Sequence, residues 1–196
     1  MDHRDKTIAS RLRALPPGWS AVRSAALRYA GVADNVDSEG VIKIGHRPTV
    51  APEAYAVRIY PPAPGTVYAK YENLHSVAIP EFIRSILHVA NGLWIDELTI
   101  YGIPASMLKD PPMLDRTRLQ CLDIATANTA WRAAFEAGPE LFHFGSRVNG
   151  DESVGYFADA KARIHALSDR GRSPRKWTTL AAFFEAELAT VGRASP

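Results

Sequence analysis

Residues 79–101 switch from a helical to a strand pattern within a few positions, and this switch limits most tightly what the chain can fold into. Phe82, Ile83, Ile86, Leu87 and Ala90 share one helical stripe, which must be buried against another element. Pro80 stands at the expected first helical position, where its missing N–H costs nothing, and Glu81 faces the positive end of the helix dipole. Asn91 and Gly92 read as a left-handed cap. Residues 93–101 then read as one strand, with Leu98 and Ile100 alternating with Thr99 and Tyr101. The segment is scaffold: it predicts a helix delivered straight onto a half-buried sheet.

The rest of the chain supplies similar pieces. Residues 7–15 and 19–30 read as helices, the second with Ser20 as its cap, and residues 41–45 and 55–60 as strands able to pair as a hairpin. Pro61, Pro62 and Pro64 then interrupt the backbone donors, which places a boundary between an amino-terminal extension, 1–62, and a main domain, 63–196. Thr66 is placed to cap a helix through Leu74, and residues 119–137 read as one helix carrying Leu122, Trp131 and Phe135. Strands are expected at 141–145, 153–159 and 163–167, with a turn at Asn149, Gly150 and Asp151, before a last helix over 178–191 preceded by Trp177.

At 196 residues, with 46% hydrophobic and 22% charged side chains, the chain has the balance of a globular protein. A net charge of +2 does not by itself imply nucleic acid or an anionic membrane. The start, Met1 to Lys6, mixes both charge signs with no apolar stretch behind it, so no signal peptide is expected. No run reaches the roughly 20 apolar residues of a membrane span. With a single cysteine, Cys121, no internal disulfide can form, and a cytoplasmic location is expected.

Groups that could do chemistry are sparse. The histidines at 3, 46, 75, 88, 143 and 165 include no i, i+4 pair for a metal, and no phosphate-binding glycine loop or nucleophile elbow occurs, so no metal and no cofactor is expected. His143 with Asp151 or Glu152 is the one arrangement that would support acid–base work, provided the three converge. Asp151 and Glu152, like Asp96 and Glu97, are explained more simply as turn residues that lie on a binding rim. Cys121 beside Leu122 reads as a buried, inert thiol. Arg170, Arg172, Arg175 and Lys176 form a basic loop over 170–176 that reads first as a solvated loop and, as the alternative, as an acidic-partner contact, and Trp94 and Tyr101 are the aromatic candidates for an interface.

Taken in order, Glu72, Ile79-Pro80, Phe82, Ile86, Asn91-Gly92 and the strand ending at Gly102 resemble the SUKH superfamily of fungal cell-wall-assembly regulators and bacterial toxin-immunity proteins. Asn128, Trp131, Phe142 to Gly145, Gly150-Asp151, Gly155-Tyr156-Phe157 and the helix after Trp177 continue the series over about residues 64–190. The resemblance implies an α+β fold with helices packed on a curved, mainly antiparallel sheet. It also implies a non-catalytic protein that binds a protein partner, typically a toxin of the producing cell. Residues 1–62 have no counterpart in the pattern, and the slight basicity departs from the acidic character common among immunity proteins that face nucleases. A regulatory or scaffold module with a non-toxin partner is the alternative.

Overall fold

Among the described residues, nine strands follow one another in the sheet in their sequence order, so each pairs with its chain neighbour and β1 and β9 form the two edges. The computed structural model describes residues 3–107, 120–171 and 174–191. The strands are β1 (Asn35–Val36), β2 (Ile42–His46), β3 (Tyr55–Ile59), β4 (Leu93–Ile95), β5 (Leu98–Ile100), β6 (Phe142–Asn149), β7 (Glu152–Ala158), β8 (Ile164–Ser168) and β9 (Arg175–Trp177). All eight pairings are antiparallel. Six α-helices occur among the described residues: α1 (His3–Arg13), α2 (Ser20–Arg28), α3 (Val67–His75), α4 (Glu81–Leu87), α5 (Ile124–Thr129) and α6 (Leu180–Leu188). The chain is therefore an α+β protein. No helix among these residues is long and apolar enough to cross a membrane.

The core lies between one face of the sheet and the helices. Ile42, Ile44, Val57, Ile59, Leu93, Ile95, Leu98, Ile100 and Tyr156 bury their side chains there with Leu12, Val22, Ile83, Ile86, Phe183 and Phe184. Residues on both sides of Pro61 belong to this core. β3 pairs with β4 through Val57 with Ile95 and Ile59 with Leu93, so the sheet runs from segment 1–62 into segment 63–196.

Several expected elements take a different form. Residues 93–101 make a hairpin, β4 and β5, because Asp96 adopts φ 53° and turns the chain back on itself. The apolar residues change parity between Ile95 and Leu98, which brings all four of Leu93, Ile95, Leu98 and Ile100 onto one face. The helix expected over 119–137 is shorter: Asp123 caps α5 by accepting from Ala125 and Thr126 N–H, and Trp131–Phe135 form a separate 3-10 helix. Residue 119 lies outside the described residues. Pro80 is the N-cap of α4 rather than its first residue. That helix ends at Leu87, four residues before Asn91, so Asn91-Gly92 does not cap it. Ser20 opens α2 without capping it, and the Thr66 side chain makes no capping bond. The end of the basic stretch is strand β9.

Candidate partner-binding face

Period-2 alternation sends every second side chain of a strand to the face opposite the core. The strand registers join these residues into one row across the sheet: Lys43, Arg58, Trp94, Thr99, Ser146, Gly155 and Leu167. At one end of the face α5 and the 3-10 helix form a lid. Beneath it His143 stacks on Phe157 at 4.4 Å, and Phe135 and Tyr101 meet His143 edge-on at 5.3 and 5.1 Å. Asn128 clamps the lid to β6, donating to the His143 carbonyl and accepting from the His143 N–H, both at 2.8 Å.

The rest of the face is open. Trp94 is 37% exposed at its centre, Trp131 is 37% exposed at the edge of the lid with its ring 5.4 Å from Tyr101, and Val148 is 54% exposed two residues beyond Ser146. The Arg58 guanidinium lies over the Trp94 ring at 5.7 Å, and the indole N–H donates to the Asp96 carbonyl, so the ring is held from two sides. A half-exposed tryptophan and a valine on the sheet, with a second half-exposed tryptophan on the lid, have the character of interface anchors, since aromatic groups give large contact area at little entropic cost.

The residues singled out in the sequence fall into three sets. Trp94 belongs to the open face. Tyr101 does not: it is 2% exposed and supports the face from beneath, so a surface contact by its ring requires the lid to lift. Asp96, Glu97, Asp151, Glu152 and Arg175 stand at one end of the sheet, where the β4–β5 and β6–β7 turns meet the start of β9. Most are engaged internally. Asp96 bonds Arg47 at 2.7 Å and Tyr29 at 3.1 Å, Glu97 holds Arg147 at 3.0 Å, and Glu152 accepts from Ser168. Asp151 projects into solvent, with Arg170 3.7 Å away. Arg172 lies outside the described residues.

Arg175 enters a buried network that the sequence did not suggest. The Glu187 carboxylate of α6 is fully buried and pairs with Arg175 at 2.6 Å and Arg147 at 3.4 Å, while Tyr156 donates its hydroxyl to it. Burial, followed by the Glu187 charge, pushes the Tyr156 hydroxyl well above its ordinary pKa and keeps it a donor. The ion pairs tie α6 to β6, β7 and β9, although Glu187 Oε1 makes no hydrogen bond and meets Arg175 through charge alone.

The three groups proposed for acid–base work do not converge. His143 is fully buried under the lid, whereas Asp151 and Glu152 lie past the far end of β6, about 20 Å along the strand at its usual rise per residue. Burial pushes the His143 pKa down to about 4 against the pull of the Ala127 and Gly145 carbonyls, so the ring is neutral at pH 7. Burial, reinforced by Asp123, raises the Cys121 thiol to about 12, which leaves it protonated and unreactive. Among the described residues no three His, Cys, Asp or Glu side chains are grouped as a metal site.

Comparison with family models, with curated proteins and with solved structures finds no match. The motif residues therefore have to be explained by their own contacts. Glu72 accepts from the Ile79 N–H at 2.6 Å and from Arg84 at 2.7 Å, which locks the connection between α3 and α4 ahead of Pro80. The Asn91 side chain pairs with the Ile103 backbone, accepting its N–H at 2.8 Å and donating to its carbonyl at 2.7 Å. A Cβ on Gly102 would stand 2.3 Å from the Asn91 carbonyl oxygen, and Gly92 takes φ 95°, so both positions call for glycine. Gly145 sits at the irregularity in the β6–β7 register and Gly150 in the turn between those strands. Trp177 packs on Phe183 at 5.4 Å.

Proposed function

We propose that the chain is a non-catalytic protein-binding protein of the SUKH type, and that it acts as an immunity protein, neutralising a cognate bacterial toxin by covering part of its surface. The observation that carries the binding role is the open sheet face, on which Trp94 and Val148 remain exposed beside Trp131 of the lid, while equivalent positions nearby are roofed by α5 and the 3-10 helix. The SUKH reading is supported by order: α3, α4, the β4–β5 hairpin, α5, the β6–β8 meander and α6 follow the series of motif residues from Glu72 to Trp177. A toxin as the partner follows from the resemblance alone.

The test is co-expression with the product of the neighbouring gene. Relief of that product's toxicity, together with a one-to-one complex on gel filtration, is the expected result. Trp94→Ala should weaken the complex tenfold or more, the scale of a central aromatic anchor, while leaving the unfolding free energy within about 1 kcal/mol of the parent. No protection and no complex would remove the immunity role. A regulatory or scaffold module with a different partner is the second reading, favoured by β2 and β3, which widen the open face by adding Lys43 and Arg58 to its row.

A further inference from the structure

The open face is unevenly charged. Alternation along β4 to β9 places no Asp or Glu among the strand residues that face away from the core. Asp159, in the turn at the edge of that face, is taken up by Arg163 at 2.7 Å and His165 at 3.0 Å. Three cations on the face and its lid have no carboxylate partner among the described residues. Arg58 lies over Trp94 and donates to the Glu53 carbonyl, Arg132 of the lid donates to the Gly138 carbonyl, and Lys176 stands exposed on β9 opposite His165. Lys43, by contrast, is neutralised by Asp37 at 3.3 Å and Glu53 at 3.8 Å. In sequence, residues 159–177 hold six Lys and Arg against two Asp, but Arg175 pairs with the buried Glu187, Arg163 with Asp159 and Arg170 with Asp151, which leaves Lys176 as the cation that β9 presents to this face.

From β4 to β9 there are five strand spacings, about 24 Å, which matches the width of a standard interface of roughly 800 Å² per partner. One partner surface can therefore reach Trp94 and Lys176 together. We propose that this face recognises an acidic protein surface, with an apolar group seated between Trp94, Trp131 and Val148 and carboxylates meeting Arg58, Arg132 and Lys176. The inference rests on the binding role proposed above and adds the chemistry of the partner. The exposed aromatic and aliphatic anchors favour a protein over a nucleic acid, which would be met by a denser array of cations.

Selection of displayed random peptides on the immobilised full chain, at low salt, tests this without a known partner. Enriched peptides should combine Asp or Glu with an aromatic or aliphatic residue. Synthetic copies should lose about tenfold in affinity for the Arg58→Gln/Lys176→Glu variant and a similar factor on passing to high salt. Binding should largely disappear with Trp94→Ala. Neutral or basic peptides that still require Trp94 would overturn the charge inference and leave the face reading intact. Peptides indifferent to Trp94→Ala, or no enrichment, would overturn both, and a DNA duplex bound more tightly than any selected peptide would overturn the assignment to a protein partner. Circular dichroism of each variant shows whether a loss of binding comes from misfolding.

Discussion

Asn91 shows how a recognisable residue can carry a different duty from the one its neighbours suggest. Next to Gly92 it reads as part of a helix cap, yet its amide is buried and serves the Ile103 backbone twelve residues away. Asn91→Ala would strand a buried N–H and a buried C=O, so the expected loss is about 2–4 kcal/mol in urea unfolding. A loss below about 1 kcal/mol would mean that water replaces the amide. His143 carries a pH signature. Its folded pKa of about 4 lies below the ordinary 6.5, so between these values the unfolded chain binds more protons than the folded one. Stability from this group is therefore complete above pH 6.5 and falls as the pH drops towards 4, by an order-of-magnitude 3 kcal/mol over the window. His143→Phe keeps a flat ring on Phe157 and should remove that part of the acid slope. Unfolding free energies at several pH values check this, and identical slopes in parent and variant would contradict it. Trp94, a candidate interface aromatic by residue type, is 37% exposed, whereas the burial of Tyr101 depends on Trp131 and His143, which reach it only in three dimensions.

Among the elements, the most legible were those whose signals are local. The β6–β8 meander follows from short alternating runs and a Gly150-Asp151 turn, and the β2–β3 hairpin from two similar runs. The lid reads in the sequence as one long helix because Trp131 and Phe135 keep a helical spacing; the 3-10 helix that holds them is separated from α5 by Ala130. Least legible was the docking of α6, since Glu187 looks like a solvated helix residue until Arg147 and Arg175 arrive from strands 40 and 12 positions away. Glu187→Ala would leave two guanidinium groups and the Tyr156 hydroxyl facing a vacated site, with an expected cost of about 3–5 kcal/mol. Tyr156→Phe removes one donor and should cost about 1–2 kcal/mol. Denaturant titration of the two variants orders them. Equal small losses would mean that apolar contacts such as Phe144 with Phe183 hold the helix without the charges.

At the scale of the whole molecule, the prolines from 61 to 64 raise the question of whether residues 63–196 stand alone. The contacts across that point are extensive and of several kinds. Trp19 packs on Phe184 at 5.0 Å, Arg28 donates to the Leu188 carbonyl at 2.9 Å, Tyr29 and Arg47 hold Asp96, and β3 covers the edge of β4. Removing residues 1–62 would uncover Phe184 and one face of α6, and would free the backbone groups of β4 beside the exposed Trp94. An apolar edge strand of that kind invites pairing with a second copy. The expected outcome for the 63–196 fragment is therefore association or loss of cooperative unfolding, read by light scattering and by urea titration. Adding residues 1–62 in trans should restore a cooperative species that no longer aggregates, because the missing strands and helices supply the partners that the fragment lacks. A fragment that unfolds cooperatively at the same midpoint as the full chain would overturn this expectation. The same row of residues then links stability to binding, since Arg58 of β3 steadies Trp94 of β4, and loss of the amino-terminal strands should weaken partner binding even where the fragment keeps its helices.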